Sequence, residues 1–261
     1  MKINLAINTK QTTERIINFI KKTLGKAGFS KVIIGLSGGI DSAVSCALGV
    51  RALGEKNVFV GIFPYGKLNK EGLSDAKQLV RQLHIPDANI IIYDIQPLVD
   101  QILKLDPSSG KIRKGNIIAR VRMTILFDLA KKHQVLVLGT ENKTEYLLGY
   151  FTRFGDEASD IEPVRGLYKT QVRQLAKYFK LPPKIIDAVP TAGLWQGQSD
   201  EDEFGFTYAE ADKILHLYKD LKKSREEIEK IGFKEETVKK VINRLQENEF
   251  KHLLPYTAKL D

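Results

Sequence analysis

Short apolar runs alternate along the chain with segments whose apolar residues recur every three or four positions. The runs predict β-strands at 31–36, 58–63, 90–95 and 135–138. The periodic segments predict helices, of which the first is capped by Thr12 or Thr13 and ends near Gly25. The next helices are expected at about 41–53, 73–83, 96–104 and 116–132. Because strands that alternate with helices pair in parallel through right-handed crossovers, this order predicts an α/β fold, a doubly wound parallel sheet flanked by helices.

The pattern changes from residue 141 onward. Helices are predicted from 141 and over 169–179, whereas residues 149–168 lack a regular period. A second irregular segment, 190–205, contains glycines, a tryptophan and four acidic residues, and its length suggests a substrate loop. Three helices, at about 208–219, 224–231 and 235–248, complete the chain. We expect a single α/β domain over 1–261, with a helical C-terminal extension from about 206.

Composition and charge narrow the classes of function. No stretch approaches the ~20 apolar residues of a membrane span, and the N-terminus has no apolar signal stretch, so a cytoplasmic protein without a membrane partner is expected. The net charge of +9 favours anionic partners. The basic residues are scattered, with no run longer than a pair, so we expect no nucleic acid partner.

The chain has a single cysteine, Cys46, which excludes an internal disulfide and a CxxC metal or redox site. It falls one turn into the helix after strand one, among small apolar residues. A packed thiol is therefore predicted, in preference to a nucleophile.

The segment Gly35–Ser42 carries the clearest chemical signal. A buried strand ends in Gly38 and Gly39, and a helix then starts at Asp41. Glycines allow a sharp turn that presents backbone N–H groups to an anion, and the helix N-terminus adds its positive dipole end. The spacing fits neither a P-loop nor a dinucleotide fingerprint, and no lysine lies within the loop. These features favour a phosphate site that binds pyrophosphate as a leaving group, whereas the alternative is a turn whose glycines only permit close packing.

The residues SGGIDS at 37–42 resemble the signature of the PP-loop ATP pyrophosphatases. Five further blocks, in order and covering most of residues 30–256, resemble the ammonia-dependent NAD synthetase family: 116–123, 139–145, 149–160, 167–170 and 190–202. The resemblance implies an adenine nucleotide alpha hydrolase-like fold. It also implies a ligase that uses ATP and ammonia to convert deamido-NAD into NAD.

The resemblance assigns site residues position by position. Metal ligands for Mg²⁺ are Asp41 and Glu145, and Asp41, Lys169 and Asp160 are the implied catalytic residues. Deamido-NAD is contacted by Arg120, Arg153, Asp160, Phe250 and Lys251. ATP is contacted by Gly35, Leu36, Ser37, Gly38, Gly39, Ile40, Asp41, Ser42, Thr140, Lys169 and Thr191.

Without these blocks, most of the assigned side chains have simpler interpretations. Thr140 is then a helix N-cap and Thr191 a turn hydroxyl. Lys169 and Glu145 are then solvated surface residues. Arg120 then packs its methylene groups and pairs its guanidinium with a carboxylate.

The chain departs from the family pattern at three positions. Some members have an arginine and a glutamine where this chain has Ile62 and Leu68, which puts the adenine and ribose contacts there in doubt. Others have a histidine at the position of Phe250, so that contact is either a stacking one or absent.

The implied reaction explains why no protein nucleophile is needed. The nicotinate carboxylate attacks the α-phosphorus of ATP, pyrophosphate leaves, and ammonia displaces AMP from the adenylate. With one cysteine and no residues left over for an amidase domain, free ammonia is the expected donor. We hypothesise that Asp156 or Asp160 attracts ammonium and accepts its proton.

Two other functions use the same phosphate loop. A PP-loop enzyme that modifies tRNA would also adenylate its substrate and would account for the basic charge. A nucleotide-binding sensor would have no chemistry, and Asp41 and Glu145 would be dispensable to it. By analogy with the family we also expect a homodimer, with the helix at 116–132 as part of its interface.

Overall fold

The computed structural model describes residues 3–252 and 256–258 and contains a parallel sheet of four strands. The strands are β1 (Val32–Gly35), β2 (Val58–Ile62), β3 (Ile90–Ile92) and β4 (Leu136–Val137). Their order is β3-β2-β1-β4, and every pair is parallel. The chain therefore winds outward from β1 in both directions, which confirms the predicted doubly wound sheet.

The described residues contain twelve α-helices. They are α1 (Thr9–Ala27), α2 (Ile40–Leu53), α3 (Lys70–Gln82), α4 (Gln96–Leu103), α5 (Lys111–His133), α6 (Lys143–Leu148), α7 (Lys169–Tyr178), α8 (Pro183–Asp187), α9 (Asp200–Phe204), α10 (Tyr208–Leu215), α11 (Arg225–Lys230) and α12 (Glu235–Glu247). A π-helical turn, His216–Asp220, extends α10. No described helix is both long enough and apolar enough to cross a bilayer.

Alternate residues of the strands serve two different cores. Val32 and Ile34 of β1 pack with α1, α2 and α7, whereas Ile33 packs on the opposite face with α4 and α5. Burial on both faces explains why the strands are continuous apolar runs. A third apolar cluster joins Leu148 and Tyr168 to the C-terminal helices α10 and α12. That residues 1–261 form a single domain with a helical C-terminal extension from about 206 stays a prediction.

Several element bounds differ from those predicted. Helix α1 is capped by Asn8, not by Thr12 or Thr13, and starts at Thr9, because the Asn8 side chain accepts the backbone N–H of Gln11. Helix α5 starts five residues before the predicted 116, at Lys111. Strand β3 ends at Ile92, and helices α8 and α9 lie in segments where none was predicted.

Cys46 is completely buried in α2. Burial raises the pKa of its thiol to about 12, because the thiolate loses its hydration in the core. The prediction of a packed thiol is confirmed.

Behind the end of β4 lies a buried acidic pair, Glu141 and Glu162. The guanidinium of Arg165 contacts both, with Nη2 at 2.8 Å from Glu141 Oε2 and 3.3 Å from Glu162 Oε1. Ser159 donates to Glu162 at 2.7 Å, and a Cβ on Gly139 would collide with the Glu162 carboxyl group. Burial raises the pKa of Glu141 to about 9 and that of Glu162 to about 7. One guanidinium does not offset the burial of two carboxylates at this point.

This pair makes folding stability depend on pH. Because the folded-state pKa of Glu141 lies above its ordinary 4.5, the folded protein binds more protons than the unfolded chain between about pH 4.5 and 9. Stability from this group is therefore fully present below pH 4.5 and is lost as the pH rises toward 9. We expect Glu141→Gln to reduce the decline in unfolding free energy between pH 5 and 9, measured by urea titration of the ligand-free protein. The exposed Glu14→Gln is the matched control, and equal pH slopes in the two variants would contradict the assignment.

Candidate active site

The phosphate loop joins β1 to α2 and is held by its own hydroxyl groups. Ser42 Oγ donates to Gly39 O at 2.9 Å and lies 3.1 Å from Ser37 Oγ, which accepts the Gly39 N–H at 3.2 Å. Gly38 has φ +87°, and a Cβ there would lie 2.2 Å from the backbone oxygen of Gly72 in α3. Only glycine fits this position. The first amides of α2 have no intrahelical acceptor and remain available for an anion.

The loop forms one end of a cavity of about 540 Å³ at the carboxyl edge of the sheet. Its walls come from the ends of β1, β2 and β4, one face of α5, and the two irregular segments 149–158 and 190–198. This is the edge at which ligands bind in open parallel sheets. The pairing of β1 with β4 places Gly139 and Thr140, which follow β4, beside the phosphate loop in this cavity.

At the floor of the cavity, Lys169 contacts two carboxylates. Its Nζ lies 2.5 Å from Asp41 Oδ2 and 2.8 Å from Glu145 Oε1, and the residue is only 4% exposed. Asn142 Nδ2 donates to the other oxygen of Asp41 at 2.9 Å. Burial alone lowers the pKa of Lys169, but the two carboxylates outweigh it, so the pKa is raised and the group stays protonated. Lys169 is therefore not a solvated lysine.

The ammonium of Lys169 does not fully compensate the negative charges of Asp41 and Glu145, and the effect is seen at Glu145. Burial, followed by repulsion from Asp41, raises the pKa of Glu145 to about 7 despite the contact with Lys169. Two carboxylates facing one ammonium leave net negative charge beside the phosphate loop. This region of the cavity therefore favours a further cation.

The starts of three helices bring these groups together. Asp41 lies in the first turn of α2, and Lys169 is the first residue of α7. Glu145 lies in the first turn of α6, which Asn142 caps by accepting the backbone N–H of Glu145, so Thr140 is not the N-cap. The buried Asp212 of α10 accepts from Thr144 Oγ1 at 2.6 Å and from the Thr170 amide at 2.8 Å, and so fixes α6 against α7.

Other residues assigned by the resemblance also line the cavity. Thr140 and Thr191 lie on its wall, as does Lys251, whose Nζ donates to the backbone oxygens of Gly149 at 2.6 Å and Phe151 at 3.2 Å. Ile62 lines the cavity as well, at a position where some family members have arginine.

Four of the five residues assigned to deamido-NAD lie outside the cavity lining, as do Gly38 and Ile40 of the phosphate loop. Arg120 is exposed and its Nε donates to the backbone oxygen of Arg153 at 3.2 Å. The Arg153 guanidinium lies 5.6 Å from the centre of the Phe250 ring, so these three residues form a cluster of their own. Asp160 Oδ2 accepts the Val137 amide of β4 at 2.7 Å. Their functional roles stay predictions.

The structure adds cavity residues that the sequence did not single out for substrates. Arg122 lies two residues beyond Arg120, and its Nε donates to the Phe63 backbone oxygen at 3.1 Å. Burial lowers the pKa of Arg122 to about 10, and the negative charge of Asp156 partly offsets this. Arg244 of α12 also lines the cavity, with its guanidinium 4.6 Å from the Phe204 ring centre. Helical periodicity gives no means of choosing Arg122 over Arg120. The sequence of α12 indicates only an amphipathic helix and does not distinguish Arg244.

Comparison with known proteins gives the same family as the sequence motifs. The family described as NAD synthase matches residues 12–255. The NH3-dependent NAD(+) synthetase of Fusobacterium nucleatum is 41% identical over 256 residues, which are 98% of each chain. That of Chlorobium phaeovibrioides is 42% identical over 257 residues, 98% of this chain and 92% of the relative.

Solved structures agree with the sequence matches. The NMN synthetase of Francisella tularensis is 33% identical, covers 98% of this chain with 100% of its own, and superposes with a TM-score of 0.86. The NH3-dependent NAD synthetase of Campylobacter jejuni is 32% identical, with 97% and 100% coverage and a TM-score of 0.82. The predicted fold, family and enzyme class are confirmed. The chain belongs to the NAD synthase family.

Proposed function

We propose that the chain makes NAD by adenylating the nicotinate carboxylate of deamido-NAD in the cavity above the phosphate loop. The overall reaction, ATP-dependent amidation of deamido-NAD with ammonia, is that of the family to which the chain belongs. The adenylate intermediate and the residue roles, which the family resemblance implies, are proposals for this chain. The observation that carries them is the placement of the phosphate loop and the Lys169 ammonium in one cavity.

The chemistry needs a site that stabilises pyrophosphate as it leaves. A carboxylate oxygen attacks the α-phosphorus, the bond between that phosphorus and the bridging oxygen breaks, and negative charge grows on the leaving group. Amides of the loop and the N-terminus of α2 supply fixed positive charge at that end of the cavity, and the Lys169 ammonium would add to it once a cation offsets Asp41 and Glu145. Each preorganised donor of this kind is worth ~3 kcal/mol. No acid-base dyad is required for this step.

The same cluster fits a magnesium ion. Among the described residues, no group of three or more His, Cys, Asp or Glu side chains could hold a metal by itself. Mg²⁺ commonly takes only one or two protein carboxylates and completes its shell with phosphate and water oxygens. Asp41 and Glu145 both line the cavity and together exceed the charge of Lys169, so they suit this role. The bound ion would neutralise phosphate charge there.

Ammonia completes the reaction by attacking the carbonyl carbon of the adenylate, after which AMP leaves with the former carboxylate oxygen. For the proton of ammonium we propose Asp156 over Asp160, because Asp156 lines the cavity whereas Asp160 bonds to β4. Asp156 accepts the Thr152 amide at 3.0 Å and faces the charge of Arg122. Desolvation between the cavity walls raises the pKa of Asp156, although the residue is still exposed to the solvent in the cavity, and a raised pKa makes it a better proton acceptor.

An isotope experiment tests the adenylate directly. Deamido-NAD labelled with ¹⁸O in its carboxylate is incubated with the protein, ATP, Mg²⁺ and ammonium. We expect NAD, pyrophosphate and AMP that carries one ¹⁸O, read by mass spectrometry. Formation of ADP, or label in orthophosphate, would contradict the proposal. Because one solved relative is named an NMN synthetase, nicotinate mononucleotide is run in parallel as a competing substrate.

Two variants accompany that assay. Asp41→Ala should abolish pyrophosphate release, because it removes a carboxylate from the Lys169 cluster. Cys46→Ala, in the same helix but in the core, should leave turnover nearly intact. A requirement for both ATP and deamido-NAD separates this enzyme from a tRNA-modifying enzyme and from a nucleotide sensor.

The role of Asp156 predicts a specific kinetic change. In Asp156→Asn we expect a higher KM for ammonium and a rate at low ammonium that rises about tenfold per pH unit, since only free ammonia then reacts. Asp160→Asn should keep the parent's ammonium saturation and pH profile, with any change confined to the KM for deamido-NAD. The reverse result would assign the proton to Asp160.

We further propose a homodimer built on the β3 edge surface, formed by Ile92, Tyr93, Leu98 and Ile125. The first three are 42%, 46% and 53% exposed, and all four line a shallow groove between β3, α4 and α5. Exposed apolar side chains on an edge strand are typical of a protein interface, and here Asp94, Thr124 and Asp128 line the groove beside them. Helix α5 contains the segment for which the sequence predicted a dimer contact. A cytoplasmic location remains a prediction.

Light scattering coupled to gel filtration tests the interface. The parent should have twice the mass of the chain, and Leu98→Asp should yield monomers because it places a charge in an apolar contact. Phe19→Asp is the matched control: Phe19 is 45% exposed, but it lies on α1, on the other side of the sheet. A monomeric parent, or a dimer that survives Leu98→Asp, would overturn the proposal.

A further inference from the structure

We propose that Asp200 is a positioning residue, which holds the segment 190–199 over the cavity and ties it to the Lys169 cluster. Asp200 is not among the site residues that the family resemblance assigns. The effect on turnover rests on the proposed function, but the position of the segment can be measured independently.

The contacts of Asp200 are those of a buried anchor. The residue is 3% exposed, although it lies in a run of four acidic residues at the start of α9. Its Oδ1 accepts from the Ala192 amide at 3.1 Å and from Tyr150 Oη at 2.9 Å, and its Oδ2 accepts from Tyr208 Oη at 2.9 Å. Its own amide donates to Pro190 O at 3.0 Å. Asp200 therefore binds the backbone on both sides of Thr191.

The same carboxylate connects the segment to the floor of the cavity. Tyr208 Oη, which donates to Asp200, lies 3.4 Å from Glu145 Oε1. The Lys169 ammonium lies 4.9 Å from the centre of the Tyr208 ring. One side chain thus joins the cavity wall at Thr191 to the group of charges beside the phosphate loop.

All three acceptor contacts of Asp200 come from neutral donors. Two phenol hydroxyls and one amide satisfy the buried carboxylate, whereas Asp41 and Glu145 are the carboxylates in contact with the ammonium of Lys169. Removing the carboxylate leaves these buried donors without an acceptor, and an unpaired buried donor raises the free energy of this arrangement. We expect the segment to move away from the cavity when this happens.

The only tryptophan of the chain, Trp195, reports on this segment. It lines the cavity, and the Lys111 ammonium lies 5.2 Å from its ring centre. In Asp200→Ala we expect stronger acrylamide quenching of Trp195 than in the parent. We also expect kcat/KM for ATP to fall ~10- to 100-fold, mostly through KM, because a displaced wall weakens binding. Asp200→Asn keeps one oxygen acceptor and should give intermediate values in both measurements.

Asp202→Ala is the matched control, since Asp202 lies in the same short helix but is exposed. It should match the parent in quenching and kinetics. If Asp200→Ala lowers only the melting temperature, with quenching and KM like those of Asp202→Ala, Asp200 is merely structural and the proposal fails. Should Asp200→Ala not fold by far-UV circular dichroism, Asp200→Asn and Tyr208→Phe decide the matter by the same two measurements. If the parent protein makes no NAD but Asp200→Ala still alters the quenching of Trp195, the proposed function fails and the positioning role of Asp200 stands.

Discussion

The contact of one buried ammonium with two carboxylates sets the arrangement of this site. Lys169 lies 128 residues from Asp41 and 24 residues from Glu145, yet its Nζ contacts both. A buried charge that loses its partner costs several kcal/mol, so each of these groups requires the others in place. Because each lies at the start of a helix, the contact forces the N-termini of α2, α6 and α7 to converge. That convergence lies at the carboxyl end of β1.

The balance of charge at this point explains what the cavity accepts. Phosphates need positive charge, which the loop amides and the helix N-terminus provide, whereas a metal needs carboxylate oxygens. Burial, followed by repulsion from Asp41, raises the pKa of Glu145 to about 7, and the two carboxylates around Lys169 supply the oxygens that a metal needs. Polar neutral groups such as Asn142 and Tyr208 complete the surroundings, and they add hydrogen bonds without adding charge.

How much of this was predictable depends on whether the signal is local. The strands, the glycine turn and the neighbouring ends of β1 and β4 follow from short patterns and from the rules of parallel sheets. The burial of Lys169 does not, because a lysine at a helix start looks solvated unless the distant Asp41 is known to meet it. Asp156 and Asp160 are four residues apart in an aperiodic segment, so only the fold shows that one lines the cavity and the other bonds to β4.

The size of the cavity gives meaning to the assigned residues that lie outside it. About 540 Å³ suits one nucleotide-sized ligand, whereas the reaction brings together a nucleotide and a dinucleotide. With ATP in the cavity, part of the dinucleotide would then extend past the rim. Arg120, Arg153 and Phe250 form a cluster next to cavity residues Ala119 and Thr152, and they offer two guanidinium groups and an aromatic face. Such groups suit a phosphate and a ring, so their position outside the lining is consistent with binding the far half of deamido-NAD.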